Sequence, residues 1–121
     1  MTETTGYLTT HVLDTAQGCP AAGMKITLFA REGENRREIR KMVTNSDGRT
    51  DSPILPKGEM TIGEYELEFE AGAYLAASGI EANGPRFLDI IPIRFGIDDD
   101  SAHYHVPLLL SPFGYSTYRG S

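Results

Sequence analysis

The sequence predicts an all-β fold: two packed antiparallel sheets, an antiparallel β-sandwich of about seven to eight strands with one short helix. Two observations lead there. Most apolar runs alternate with period two, the pattern of strands with one buried and one solvated face. The 13 glycines and 7 prolines cut the chain into short segments. At 121 residues the chain fits one domain, 1–121, against a prior of roughly 150 residues per domain. A small closed barrel is the alternative architecture that the same pattern allows. The threonine-rich start, residues 1–5, is expected to form a disordered tail.

From Tyr7 to Leu13, Leu8 and Val12 point to one face and Tyr7, Thr9 and His11 to the other. Asp14 to Gly23, with Gly18 and Pro20, reads as a loop, and Met24, Ile26 and Leu28 resume the alternation through Ala30. Arg31 to Glu38 reads as a charged connection, followed by a strand of mixed faces over Ile39 to Thr44. Asn45-Ser46-Asp47-Gly48 is turn chemistry, because Asn, Asp and Gly tolerate the positive φ of tight turns, and it sets Arg49 at a loop-to-strand junction. Glu64 to Glu70 is the clearest strand, with Tyr65, Leu67 and Phe69 between four glutamates. Alanine-rich Ala71 to Ser78 predicts the helix, ended by Gly79. Phe87 to Ile97 reads as a strand that Pro92 confines to an edge or a bulge. His103 to Leu110, a turn at Ser111-Pro112-Phe113-Gly114, and Tyr115 to Ser121 give strand, turn and final strand.

Composition narrows the function. Eleven basic against seventeen acidic residues leave a net charge of −6, which opposes the phosphate attraction behind nucleic-acid binding. No apolar run approaches the ~20 residues of a membrane span, so no membrane association is expected. The lone Cys19 suits a reducing compartment, and a cytoplasmic location is expected. Asp98-Asp99-Asp100 lacks the spaced oxygen ligands and glycine of a calcium loop and reads as a solvated turn.

Chemistry concentrates on the histidines. His103 and His105 lie two apart on a strand and so share a face, while Tyr104, Val106, Leu108 and Leu110 fill the other. Pro107 and Leu109 make the histidine face partly apolar as well, which points to burial against another subunit. His11 also lies opposite its core-facing neighbours, and imidazoles meeting at such an interface would suit general acid/base work near neutral pH. Three histidines could hold zinc, but no Cys, Asp or Glu sits at a recognisable spacing beside them, and no metal is expected. Cys19 has no base near it in sequence, and phosphate-loop, dinucleotide and G-x-S-x-G motifs are absent, so no organic cofactor is expected. A polar or anionic substrate would need a local cation, for which Arg49 and Arg119 are candidates.

Longer segments carry a resemblance. Leu8-Thr9-Thr10-His11-Val12-Leu13-Asp14, Asp47-Gly48-Arg49, His103-Tyr104-His105-Val106-Pro107-Leu108-Leu109-Leu110-Ser111-Pro112 and the terminal Tyr118-Arg119-Gly120-Ser121 together resemble the transthyretin-related 5-hydroxyisourate hydrolases of urate breakdown, over nearly the whole chain from Gly6. The chain departs from the family pattern at Leu88-Asp89 and in lacking a Trp ahead of the Asp47-Gly48-Arg49 turn. The resemblance implies a transthyretin-like sandwich in a homotetramer, a dimer of dimers with active sites in a channel at the subunit interface. It implies hydrolysis of 5-hydroxyisourate to 2-oxo-4-hydroxy-4-carboxy-5-ureidoimidazoline without metal or cofactor. Family positions for catalysis fall on His11, Arg49, His105 and Ser121, and those for substrate binding on His11, Arg49 and Tyr118. The mechanism expected is water attack on a ring lactam carbonyl, with His11 or His105 as base. Two other readings share the fold: a small-ligand carrier without catalysis, and a purely structural sandwich.

Overall fold

The computed structural model describes residues 4–120. Strands β1 (Tyr7–Asp14), β2 (Cys19–Pro20), β3 (Lys25–Glu32), β4 (Asn35–Val43) and β5 (Gly63–Glu70) lead into helix α1 (Ala71–Ala77). Strands β6 (Ile90–Ile97), β7 (His103–Ser111) and β8 (Gly114–Thr117) follow it. One sheet runs β2-β1-β7-β8 and the other β4-β3-β5-β6, so the chain forms an open sandwich rather than a closed barrel. The alternation read from the sequence meets between them: Leu8, Val12, Leu108 and Leu110 of the first sheet face Ile26, Leu28, Leu67, Phe69 and Ile91 of the second, each at most 1% exposed. Burial of each such side chain is worth about 1.5–3 kcal/mol. Thr10, also inward, avoids an orphaned hydroxyl by donating to the Val106 carbonyl at 2.7 Å.

Several boundaries differ from the sequence reading. The charged connection after Ala30 is a hairpin: β3 continues to Glu32, β4 starts at Asn35, and Gly33-Glu34 turns between them. The charges of this stretch decorate a solvated sheet face rather than a loop. Cys19 and Pro20 pair with Asp14 and Leu13 instead of lying in a loop. The strand expected from Phe87 starts at Ile90, because the Asp89 carbonyl is taken by the Gly72 N–H of α1; Phe87 is left 73% exposed. Pro92 sits on an edge strand, as a residue without an N–H requires. The last strand ends at Thr117. Of the expected N-terminal tail, residues 1–3 lie outside the described residues; the Thr4 carbonyl accepts from the Gly58 N–H and the Thr5 hydroxyl donates to the Ser101 carbonyl.

One pairing has the largest consequence. All pairs are antiparallel except β1 with β7, which is parallel and sets Thr9 opposite His105 and Tyr7 opposite His103. The helix ends as expected: Gly79 at φ 85° donates to the Ala76 carbonyl and Ile80 to Leu75, a closing pattern that satisfies two carbonyls and needs a residue at home with positive φ. Tyr74 of α1 donates to the buried Asp14 carboxylate at 2.8 Å, and burial together with that anion pushes its phenol up to about 12.

On the outer face of the second sheet, the side chain of Glu66 is only 3% exposed and bonds Arg36 at 2.6 Å and Arg94 at 2.9 Å, with Arg31 at 3.5 Å. One carboxylate thus ties β5 to β4, β6 and β3. Burial raises the Glu66 carboxyl, but the bonds with Arg94, Glu68 and Arg36 together more than offset this, and the net shift is downward. A carboxyl with a depressed folded pKa binds fewer protons in the folded than in the unfolded chain. Its stabilisation is therefore present above the unfolded value near 4.3 and is lost as pH falls through the folded one. Glu66→Gln is expected to cost about 1–3 kcal/mol at pH 7 and to flatten the acid side of the stability curve. Denaturant melts at pH 7 and pH 3 check this, and equal losses at both would contradict it.

Candidate active site

The loop between β4 and β5 builds one wall. Its segment 45–55 runs beside the edge of β1 away from β7 and is pinned at two places. The Val12 N–H donates to the Gly48 carbonyl at 2.8 Å, and Leu8 exchanges bonds with Ile54 and Leu55 at 2.8 and 2.9 Å. Gly48 has φ 76°, and an added Cβ would strike the Val12 carbonyl, so the first pin requires glycine. The Asn45 side chain closes the turn by accepting from the N–H groups of Asp47 and Arg49. Between the two pins, residues 49–53 border an open cavity of about 370 Å³. Arg49, Asp51 and Pro53 line it from the loop; Thr9, Thr10, His103 and His105 line it from the sheet.

His105 is held on three sides. Its Nδ1 lies 2.8 Å from Thr9 Oγ1, which also lies 2.6 Å from His103 Nε2. Its carbonyl accepts the Gly120 N–H at 2.8 Å, and the Gly120 backbone packs so closely that a Cβ there would come within 2.6 Å of the ring. Gly120 is thereby tied to β7 at His105. Burial lowers the His105 pKa below the ordinary value, and the charges of Arg49, His103 and His11 lower it further. The ring is thus kept neutral, with a lone pair available, at neutral pH.

Of the residues singled out from the sequence, Arg49 and His105 meet at this cavity. His11 lies on the same outward face of β1, opposite Pro107 and close enough for its charge to act on His105, but not on the cavity wall of the single chain. Tyr118, 58% exposed, faces a separate groove of about 270 Å³ between the edges of β6 and β8, with Ile93, Phe95 and Val106. One chain does not bring it to Arg49. Arg119 stacks on Tyr104 at 3.9 Å, which fits an anchor for the tail. Ser121 lies outside the described residues. Among the described residues, no three His, Cys, Asp or Glu side chains cluster as metal ligands.

The sequence reading missed Thr9, and gave His103 no role. Alternation along β1 already put Thr9 on the face of His11. What no local pattern carries is the parallel pairing that lays that face beside His103 and His105.

The model of the HIUase/Transthyretin family matches residues 8–120. The chain is 57% identical over 116 residues to 5-hydroxyisourate hydrolase 2 of Rhizobium meliloti (strain 1021), covering 96% of this chain and 97% of that one. It superposes on the crystal structure of (S)-allantoin synthase with a TM-score of 0.89 and 52% identity, over 96% of this chain but 44% of that longer one. Sea bream transthyretin in complex with thyroxine follows the same fold at a TM-score of 0.82, 25% identical over 93% of each chain.

Proposed function

This chain belongs to the HIUase/Transthyretin family, and we infer from that membership and from the cavity at Arg49 and His105 that it hydrolyses 5-hydroxyisourate. The observation that carries the reading is the pairing, across one cavity, of a guanidinium with an imidazole kept neutral at working pH. Hydrolysis opens a lactam ring to give 2-oxo-4-hydroxy-4-carboxy-5-ureidoimidazoline. His105 takes a proton from water as its oxygen attacks the carbonyl carbon, and Arg49 stabilises the charge growing on the carbonyl oxygen. As the C–N bond breaks, His105 returns the proton to the departing nitrogen. Holding water and lactam together replaces a bimolecular encounter by an oriented one, so the reaction needs no covalent enzyme intermediate.

His11, Tyr118 and Ser121 join the site in the assembled protein, His11 and Ser121 as catalytic groups and His11 and Tyr118 in holding the substrate. The assembly is a homotetramer, a dimer of dimers with each site in a channel between subunits. Supporting this are the half-buried apolar residues Leu13 and Leu109 on the histidine face, and the exposed rings of Phe87 and Phe113. The single thiol, Cys19, supports a reducing, cytoplasmic setting. No helix among the described residues is long and apolar enough to cross a membrane. A carrier role is not favoured, since the cavity presents Arg49, Asp51, two imidazoles and three threonines where a carrier of apolar ligands needs apolar walls.

The test is direct. With 5-hydroxyisourate generated in place by urate oxidase, the protein is expected to accelerate the decay of its ultraviolet absorbance, with or without a chelator. Light scattering is expected to give about four times the 13.3 kDa chain mass. No acceleration would favour the carrier, and a monomer would remove the shared channel.

A further inference from the structure

We propose that Thr9 and His103 are positioning residues that decide which nitrogen of His105 carries a proton and that share the charge it gains during turnover. This role rests on His105 being the base assigned above. The Thr9 hydroxyl lies between two imidazoles, 2.8 Å from Nδ1 of His105 and 2.6 Å from Nε2 of His103. It owns one proton, so it donates to one ring at most. If it donates to His105 Nδ1, the proton of neutral His105 sits on Nε2, and the ring has no lone pair left for water. If it accepts from a protonated Nδ1, Nε2 is the basic nitrogen, and the hydroxyl proton goes to His103 Nε2. Nε2 of His105 takes no protein hydrogen bond among the described residues and is left for water or substrate. The chain running from His105 through Thr9 to His103 is the arrangement that makes His105 a base and also satisfies His103.

The same chain accommodates the proton that His105 removes from water. When Nε2 is protonated, the Nδ1 proton can move to Thr9 Oγ1 as the Thr9 proton moves to His103 Nε2. The O–H of threonine is conserved, one N–H bond breaks on His105, one forms on His103, and the positive charge passes to His103. His103 is built to receive it: its ring stacks on Tyr7 with centroids 4.1 Å apart and planes 10° from parallel, a π face that favours a cation. The reverse shift restores cationic His105 before it hands its Nε2 proton to the departing nitrogen. Burial of His105 and the charge of Arg49 disfavour a cation on that ring, which favours passing the charge to His103. The charged and titratable groups facing the chain are Arg49 and Asp51 from the loop, Tyr7 and His11 from β1, and Lys57 over the ring of Tyr7.

Thr9→Val keeps the β-branched shape and removes the hydroxyl; Thr9→Ser keeps the hydroxyl and removes the methyl. Thr9→Val is expected to lower kcat roughly 10–100-fold, part of what a general base contributes, with KM changed less than about twofold. The acid limb of the kcat/KM profile is expected to move to lower pH, because the cation loses an acceptor. Thr9→Ser should recover most of the rate, and adding His103→Phe to Thr9→Val should cost little more, since both break one chain. Nitrogen-15 spectra of the histidine rings read the tautomer without turnover: protonated Nδ1 on His105 in the wild type, and a shift toward protonated Nε2 in Thr9→Val. An unchanged tautomer, a serine variant as slow as valine, or additive losses in the double variant would each overturn the proposal. A wild-type protein that does not hydrolyse 5-hydroxyisourate would overturn the functional reading instead, and the spectra would still report whether Thr9 sets the tautomer.

Discussion

His105→Ala is expected to lower kcat/KM for 5-hydroxyisourate by about 10²–10⁴-fold, the range in which a positioned general base contributes. The fold should survive. The side chain is half-buried on the outward face of β7, its neighbours in the core are unaffected, and its carbonyl still accepts the Gly120 N–H, so the tail keeps its anchor. The pH dependence supplies an independent check. In the proposed mechanism the working form is the neutral ring, and burial with the cations around it lowers the His105 pKa below 6.5. The wild-type acid limb should therefore fall below pH 6.5, with activity flat above it, and the limb should vanish from the residual rate of the alanine variant. A near-normal rate in His105→Ala, alongside a slow His11→Ala, would move the base to His11.

The sandwich was legible because its two faces differ so sharply. Tyr65, Leu67 and Phe69 between glutamates can satisfy a core on one side only, and β5 lies where the alternation put it. Legibility failed where a strand is solvated on both flanks of the pattern. Arg36, Arg37 and Glu38 look like a loop, yet they pair with β3, because the Glu66 carboxylate and the face of Phe29, 4.0 Å from the Arg36 guanidinium, give that arginine a place on the sheet. Phe87 erred the other way, since an apolar side chain alone does not show that α1 will claim the backbone beside it.

The candidate site was legible by residue type more than by place. His105 and Arg49 could be singled out because a shared strand face and a tight turn are local facts. Their meeting is not local: it depends on the loop being pinned at Gly48 and Ile54 along one edge of β1 while β7 occupies the other. Thr9 shows the cost of that gap. A threonine on a strand is unremarkable, and only the parallel register places its hydroxyl between two imidazoles 94 and 96 residues away. Tyr118 marks the opposite limit, a residue whose proposed work is done in an assembly that a single chain does not display.

Arg49→Gln is the second large effect, expected to lower kcat/KM by about 10²–10³-fold, as loss of one preorganised oxyanion donor does. Both backbone groups of Arg49 are committed to the turn, the N–H to the Asn45 side chain at 3.2 Å and the carbonyl to the Asn45 N–H at 2.7 Å, so the loop should keep its course. The side chain is exposed and enters no ion pair among the described residues, so stability should change by no more than about 0.5 kcal/mol. A second consequence separates Arg49 as a charge stabiliser from Arg49 as mere cavity wall. After burial, its cation is the foremost influence holding the His105 pKa down. Removing it lets the imidazolium persist to higher pH, and the acid limb of kcat/KM should move upward while the plateau drops. Arg49→Lys should restore the position of the limb, because the charge returns, but only part of the plateau, because an ammonium lacks the planar fork that can meet two oxygens at once. A glutamine variant with a lowered plateau and an unmoved limb would leave Arg49 its contact with substrate and take away its hold on His105.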